Sequence, residues 1–174
     1  ETSVAKIQAQ ASGGDLFLNN DKGLELDSFS PSGGTVAGDA LDQAIRSTGA
    51  AEVTSVGQMQ IEDDVLVDGN LTLIAINGSG WGDRLIVEGA TQVIAGGDLE
   101  IDGGEDVSVS KNGRLSAGGA VVVRGNSDLP DPTSNAPINL RSPMFGSSFD
   151  VYGDNDPDKI DLVFSDESEP GSVN

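Results

Sequence analysis

Short apolar–any–apolar triplets recur along this chain, and many of them follow a glycine and a small polar residue. The phrase stands at Gly14-Asp15-Leu16-Phe17-Leu18, Gly57-Gln58-Met59-Gln60-Ile61, Gly69-Asn70-Leu71-Thr72-Leu73, Gly97-Asp98-Leu99-Glu100-Ile101 and Gly119-Ala120-Val121-Val122-Val123. Period-two alternation marks a strand with one buried face, and the glycine marks the corner before it. Repetition on this scale predicts an all-β coil whose turns bury their apolar sides only against one another. Gly97 to Gly119 is one step of the repeat, and Gly14 to Gly57 is close to two such steps. A coil of about 20 residues fits a parallel β-helix, a β-solenoid. An antiparallel β-sandwich with a hairpin at each Asn-Gly is the alternative.

The same alternation places strands at 16–18 and 24–26, at 52–54, 59–61, 65–67, 71–75, 85–87, 92–94, 99–101, 107–109, 114–116 and 121–123, and again at 138–140, 149–152 and 160–164. Gly, Asn and Asp pairs separate them, among them Asp68-Gly69, Gly96-Gly97, Asn112-Gly113 and Gly118-Gly119. These residue types tolerate the left-handed backbone that sharp corners call for. Residues 39–47 read either as a short helical turn, with Leu41 and Ile45 at i,i+4, or as a strand. Segments 28–39 and 126–137, rich in Gly, Ser and Pro, read as loop excursions. The chain thus divides into an opening strand or cap that serves as an assembly segment (1–12), β-helix coils with loop excursions (13–125), and a Pro-rich excursion with final strands and an acidic tail (126–174).

Composition narrows the function. Of 174 residues, 29 are acidic and 9 basic, a formal net charge of -20. That balance excludes a phosphate-neutralising stripe for nucleic acid and attraction to anionic membrane surfaces. No stretch is apolar enough to insert in a membrane as a helix. The chain has no cysteine and no histidine, which excludes thiol chemistry, Cys/His zinc sites and Ser-His-Asp triads. Its opening, Glu1-Thr2-Ser3-Val4, suits a processed mature protein or a segment of a longer one.

The phrases at 14–27 (GDLFLNNDKGLELD) and 96–119 (GGDLEIDGGEDVSVSKNGRLSAGG) resemble repeats of filamentous-haemagglutinin-like bacterial adhesins. The resemblance covers about residues 13–125. It implies a right-handed parallel β-helix, an extracellular or cell-surface location on a bacterium, and a part in attachment, biofilm or envelope structure. A second likeness lies at Gly153-Asp154-Asn155-Asp156-Pro157-Asp158-Lys159-Ile160-Asp161-Leu162, which looks like one degenerate copy of the calcium-binding glycine-rich nonapeptide.

Calcium takes six to eight hard oxygen ligands, often carboxylates spaced along one loop. Asp154, Asn155, Asp156, Asp158 and Asp161 supply that chemistry and form the candidate Ca²⁺ site. Two further acidic corners are Glu62-Asp63-Asp64 and Asp102 with Glu105-Asp106. Metal at any of them would be structural, tying down a corner and relieving self-repulsion. Trp81, in a glycine-rich loop, reads as a cover for the core edge or a sugar platform. Asn70-Leu71-Thr72 and Asn77-Gly78-Ser79 satisfy the glycosylation sequon.

A coil ends in rows of unpaired backbone groups that template further strands. The first reading is therefore an extracellular structural protein, a β-helical subunit or module that assembles end to end into a surface fibre or adhesin stalk. Val4, Ile7, Ile160, Leu162 and Phe164 are its candidate assembly residues. The alternative is an adhesin binding module recognising a glycan or receptor through its loops. A polysaccharide-degrading β-helix enzyme ranks third; no catalytic residue is assigned, and the expectation is a non-enzyme.

Overall fold

The computed structural model describes residues 5–28, 43–76, 84–125, 138–152 and 160–162, and for residues 5 and 160–162 the backbone only. These residues form strands that fall into triplets, one triplet per coil. The first coil is β1 (Ala5–Ile7), β2 (Ala9–Ala11) and β3 (Leu16–Asn20). The second is β4 (Leu24–Leu26), β5 (Ile45–Ser47) and β6 (Ala51–Val56), and the third β7 (Met59–Ile61), β8 (Val65–Val67) and β9 (Leu71–Ile76). β10 (Arg84–Val87), β11 (Gln92–Ala95) and β12 (Leu99–Gly103) make the fourth, and β13 (Asp106–Val109), β14 (Arg114–Ala117) and β15 (Ala120–Gly125) the fifth. β16 (Ile138–Leu140), β17 (Met144–Phe145) and β18 (Ser148–Tyr152) complete the sixth, and β19 (Ile160–Leu162) begins another.

Every third strand joins the same sheet. A first sheet runs β1-β4-β7-β10-β13-β16-β19, a second β2-β5-β8-β11-β14-β17 and a third β3-β6-β9-β12-β15-β18. All pairings are parallel and in register, as in Leu99 opposite Leu71 and Val121, or Val93 opposite Val65 and Leu115. The fold is a right-handed parallel β-helix, and the antiparallel sandwich is excluded. Arg46 and Leu66, 20 residues apart, and Arg84 and Asp106, 22 apart, sit one bare coil from each other. Larger steps, 28 from Asp64 to Gln92 and 35 from Asp15 to Ala50, contain the connections 77–83 and 29–42.

Alternation dictates the core. The first and third residues of each triplet point inward, so apolar side chains stack in columns such as Leu24–Met59–Leu85–Val107–Ile138 and Leu18–Val53–Leu73–Ile101–Val123. From Val53 to Val123 the second of these columns is fully enclosed. Each enclosed Leu, Ile or Val contributes about 1.5–3 kcal/mol relative to an exposed one. Of the segment 39–47, residues Ile45–Ser47 form a strand; 39–42 lie outside the described residues, as do the excursions 29–39 and 126–137 and Trp81.

Candidate functional site

The recurring phrase is a ladder at one corner, between the second and third sheets. There the Asp15 Oδ1 accepts the Ala50 amide at 2.9 Å, Asn70 Oδ1 accepts Asp98 N at 3.0 Å, and Asp98 Oδ1 accepts Ala120 N at 2.9 Å. Each polar side chain thus caps the backbone of the following coil. Backbone bonds run beside it, Gly97 N to Gly69 O at 3.0 Å and Gly119 N to Gly97 O at 2.9 Å. The acceptor oxygens occupy the space that a Cβ on Gly49, Gly97 or Gly119 would need, and a Cβ on Gly96 or Gly118 would meet a carbonyl of the coil before.

This corrects the expected reason for the glycines. Among the described glycines only Gly14, Gly57 and Gly89 have positive φ. The ladder glycines are there because successive coils approach too closely for a side chain. The Gly57 phrase also belongs elsewhere: it opens β7 in the first sheet, whereas the other four open strands of the third. Gly14 and Gly57 are therefore not two repeats apart. Asn70, a sequon asparagine, is a rung of the ladder.

On the first sheet the coils bring together an acidic group that is scattered in sequence. Glu25, Asp27 and Glu62 each place a carboxylate oxygen within 4.8 Å of the others. Register explains it, since the amides of Asp27 and Glu62 bond to carbonyls of Ile7 and Leu26, stacking the two acids on consecutive coils. Lys6 sits among them, 2.9 Å from Glu25 Oε1 and ion-paired to Asp27. Both hydrogen bonds, to Asp27 first and then Glu25, hold its ammonium well above the ordinary lysine value. Glu62 is pushed up from the usual carboxylate range, first by loss of solvent and then by the charges of Glu25 and Asp27. Gln60 donates to Glu62 at 2.7 Å and to Glu88 at 3.0 Å, tying in the next coil.

The three adjacent acids of the 62–64 corner thus have separate roles. Glu62 joins the cluster; Asp63 accepts from the Ser28 hydroxyl and, at 2.8 Å, from the Asp64 amide; Asp64 accepts the Gln92 amide at 2.8 Å. The corner at 102–106 is divided as well. Asp106 is buried and accepts both of its bonds from Arg84 Nε, at 2.8 and 3.0 Å. Burial outweighs that cation and raises its pKa. Asp102 lies in the column of Arg124, which is bonded to Glu100.

Asp154, Asn155, Asp156 and Asp158 lie outside the described residues; Asp161 is placed by its backbone, opposite Asn139. Val4 and Phe164 also lie outside. Ile7 packs half-buried on the core, while Ile160 and Leu162 pair through their backbones with Ile138 and Leu140. The cluster around Glu25 is one that sequence reasoning missed, because its members come from separate coils. Its local traces are Glu25 and Asp27 in the phrase Leu24-Glu25-Leu26-Asp27 and, separately, the acidic corner at Glu62.

No family model matches this chain, and neither a curated protein nor a solved structure matches it.

Proposed function

We propose that this chain is an extracellular structural protein, a β-helical subunit or module that stacks end to end into a bacterial surface fibre or adhesin stalk. The observation that carries this reading is the state of the core at the two ends. Inward apolar side chains of the middle coils are enclosed apart from Ala117, but Ile7, Ala9, Leu16 and Leu18 in the first coil and Met144 and Val151 in the sixth are only partly covered. Phe149, in the inward register with Val121, is 45% exposed. Among the described residues each end therefore leaves part of the core's cross-section uncovered, edged by strands whose outer hydrogen-bonding groups have no strand partner there. A further coil would bury that apolar surface and pair those edges, as in strand addition.

Calcium enters this reading as a structural ion. Glu25, Asp27 and Glu62 supply hard oxygen donors, and Asp154, Asn155, Asp156, Asp158 and Asp161 supply more. At the first group the cation competes with the Lys6 ammonium, which already neutralises two of the three acids.

Electron microscopy and sedimentation of the native chain test the proposal, with Leu16→Glu and Phe149→Glu as variants. Filaments that both substitutions abolish, with the β signal in circular dichroism retained, support it. Single particles at every concentration, salt and calcium level overturn it.

A further inference from the structure

The corner between the first and second sheets changes shape along the solenoid. Residues 62–64 suffice to link β7 to β8, and 141–143 to link β16 to β17. In the fourth and fifth coils the link is a β-turn instead. The Thr91 amide bonds to Glu88 O at 3.3 Å, and the Gly113 amide to Ser110 O at 2.9 Å. Gly89, at φ 61, makes the first turn possible. The two turns stack, with Arg114 N bonded to Thr91 O at 3.0 Å, and project as a ledge beyond the short corner of the sixth coil.

Along the ledge runs a groove of about 450 Å³, lined by Gly89, Ser108–Lys111, Asn112, Asn139 and Arg141. Its cations differ from most of those among the described residues. Lys6, Arg46, Arg84 and Arg124 are ion-paired to carboxylates, and Arg114 lies over the Phe145 ring. Lys111 and Arg141 make no ion pair among the described residues; Lys22, on the turn before β4, makes none either but stands alone, whereas these two share one groove. The side chains of Ser108, Ser110, Asn112 and Asn139 are likewise uncommitted there, with Ser108 directly opposite Asn139 on adjacent coils. Glu88, the acid beside Gly89, is held by Gln60 on the coil before. The same corner therefore runs from carboxylates (Asp27, Glu62, Glu88) to a hydroxyl and a guanidinium (Ser110, Arg141) within one column.

We propose that this groove binds an acidic saccharide, a sugar chain bearing carboxylates. Two cations in one groove, without an ion pair among the described residues, select an anion locally in a chain of net charge -20, and at physiological salt the remote acids are screened beyond about 8 Å. Two hydroxyls and two amides lining the same groove match the hydroxyls of a sugar ring rather than a bare ion. Val109, the one aliphatic lining residue, is buried, so polar side chains supply the recognition. The coils rise about 4.8 Å each, so a chain lying along the axis meets one set of donors per coil. The proposal is independent of end-to-end assembly, because the groove lies on the flank.

Titrating the isotope-labelled full chain with trigalacturonate, and with the neutral trisaccharide of the same linkage, tests it by NMR. Shift changes centred on Ser108–Asn112, Asn139 and Arg141, absent with the neutral sugar, are expected. Lys111→Ala and Arg141→Ala should each weaken binding about tenfold. No shifts at millimolar saccharide, equal response to the neutral sugar, unchanged binding in the double alanine variant, or phosphate binding as tightly as the trisaccharide would each overturn it.

Discussion

The Asp98 carboxylate stands where a Cβ on Gly119 would go, and from there its Oδ1 accepts the Ala120 amide at 2.9 Å. Glycine in one coil and the acid in the coil before it are thus one feature seen from two sides. Gly119→Ala should cost about 1–2 kcal/mol, because the carboxylate must swing away and release the amide. The same substitution made on an Asp98→Ala background should cost much less. A double-mutant cycle by urea denaturation reads the coupling directly.

Gly118 offers no such escape, since its Cβ would meet the Gly96 carbonyl, which is fixed in the ladder. Gly118→Ala should therefore destabilise more than Gly119→Ala, by about 3 kcal/mol or more, because backbone must move. Gly13→Ala, with open space around it and ordinary φ, is the neutral control. The order Gly118, Gly119, Gly13 in unfolding midpoint is the expected outcome.

Glu62 carries a pH dependence of known sign. Its folded pKa is raised, so in the window just above the ordinary value of 4.5 the folded chain holds a proton that the unfolded chain has lost. Its contribution to stability is thus lost as pH rises through that window. Glu62→Gln should remove this slope and leave the protein at least as stable at neutral pH. Lys6→Ala should steepen it, and should make added calcium raise the melting temperature more than in the native chain. Thermal scans at a series of pH values check all three.

Arg84 shields a buried carboxylate that burial already disfavours. Arg84→Ala should cost about 1–3 kcal/mol at neutral pH by leaving that charge unpaired. The loss should shrink as pH falls through the raised Asp106 pKa, and a second substitution, Asp106→Asn, should recover most of it. Denaturant titrations at neutral and acidic pH distinguish this from simple loss of packing.

If stacking is head-to-tail, each end variant retains one intact end. Leu16→Glu and Phe149→Glu should each be monomeric alone, yet an equal mixture should give discrete dimers joined through the two intact ends. Sedimentation of the mixture reads this. Higher oligomers in the mixture would point to a different interface.

Much of the solenoid was legible beforehand, because period-two alternation and burial on one face are the same statement. The strands at 59–61, 65–67 and 138–140 are where the pattern put them. β17 escaped notice because Met144-Phe145 is too short to show a period, and its pairing with Leu115 and Ser116 comes from the coil beneath. The right coil spacing was obscured where connections such as 29–42 lengthen a step, which is why Gly14 seemed to align with Gly57 rather than with Gly49.

By itself the sequence determined the class of fold, the inward-facing positions and the acidic character, since these follow from residue type and local period. Only the tertiary structure decided which coils lie in contact, because register joins residues separated by 20 to 35 positions through backbone bonds that every residue type can make. That register placed Lys6 among Glu25 and Asp27, set Glu62 beside them and left Lys111 and Arg141 without an ion pair among the described residues. It also turned the ladder glycines from flexible corners into points of close approach, a property of the stack rather than of any one turn.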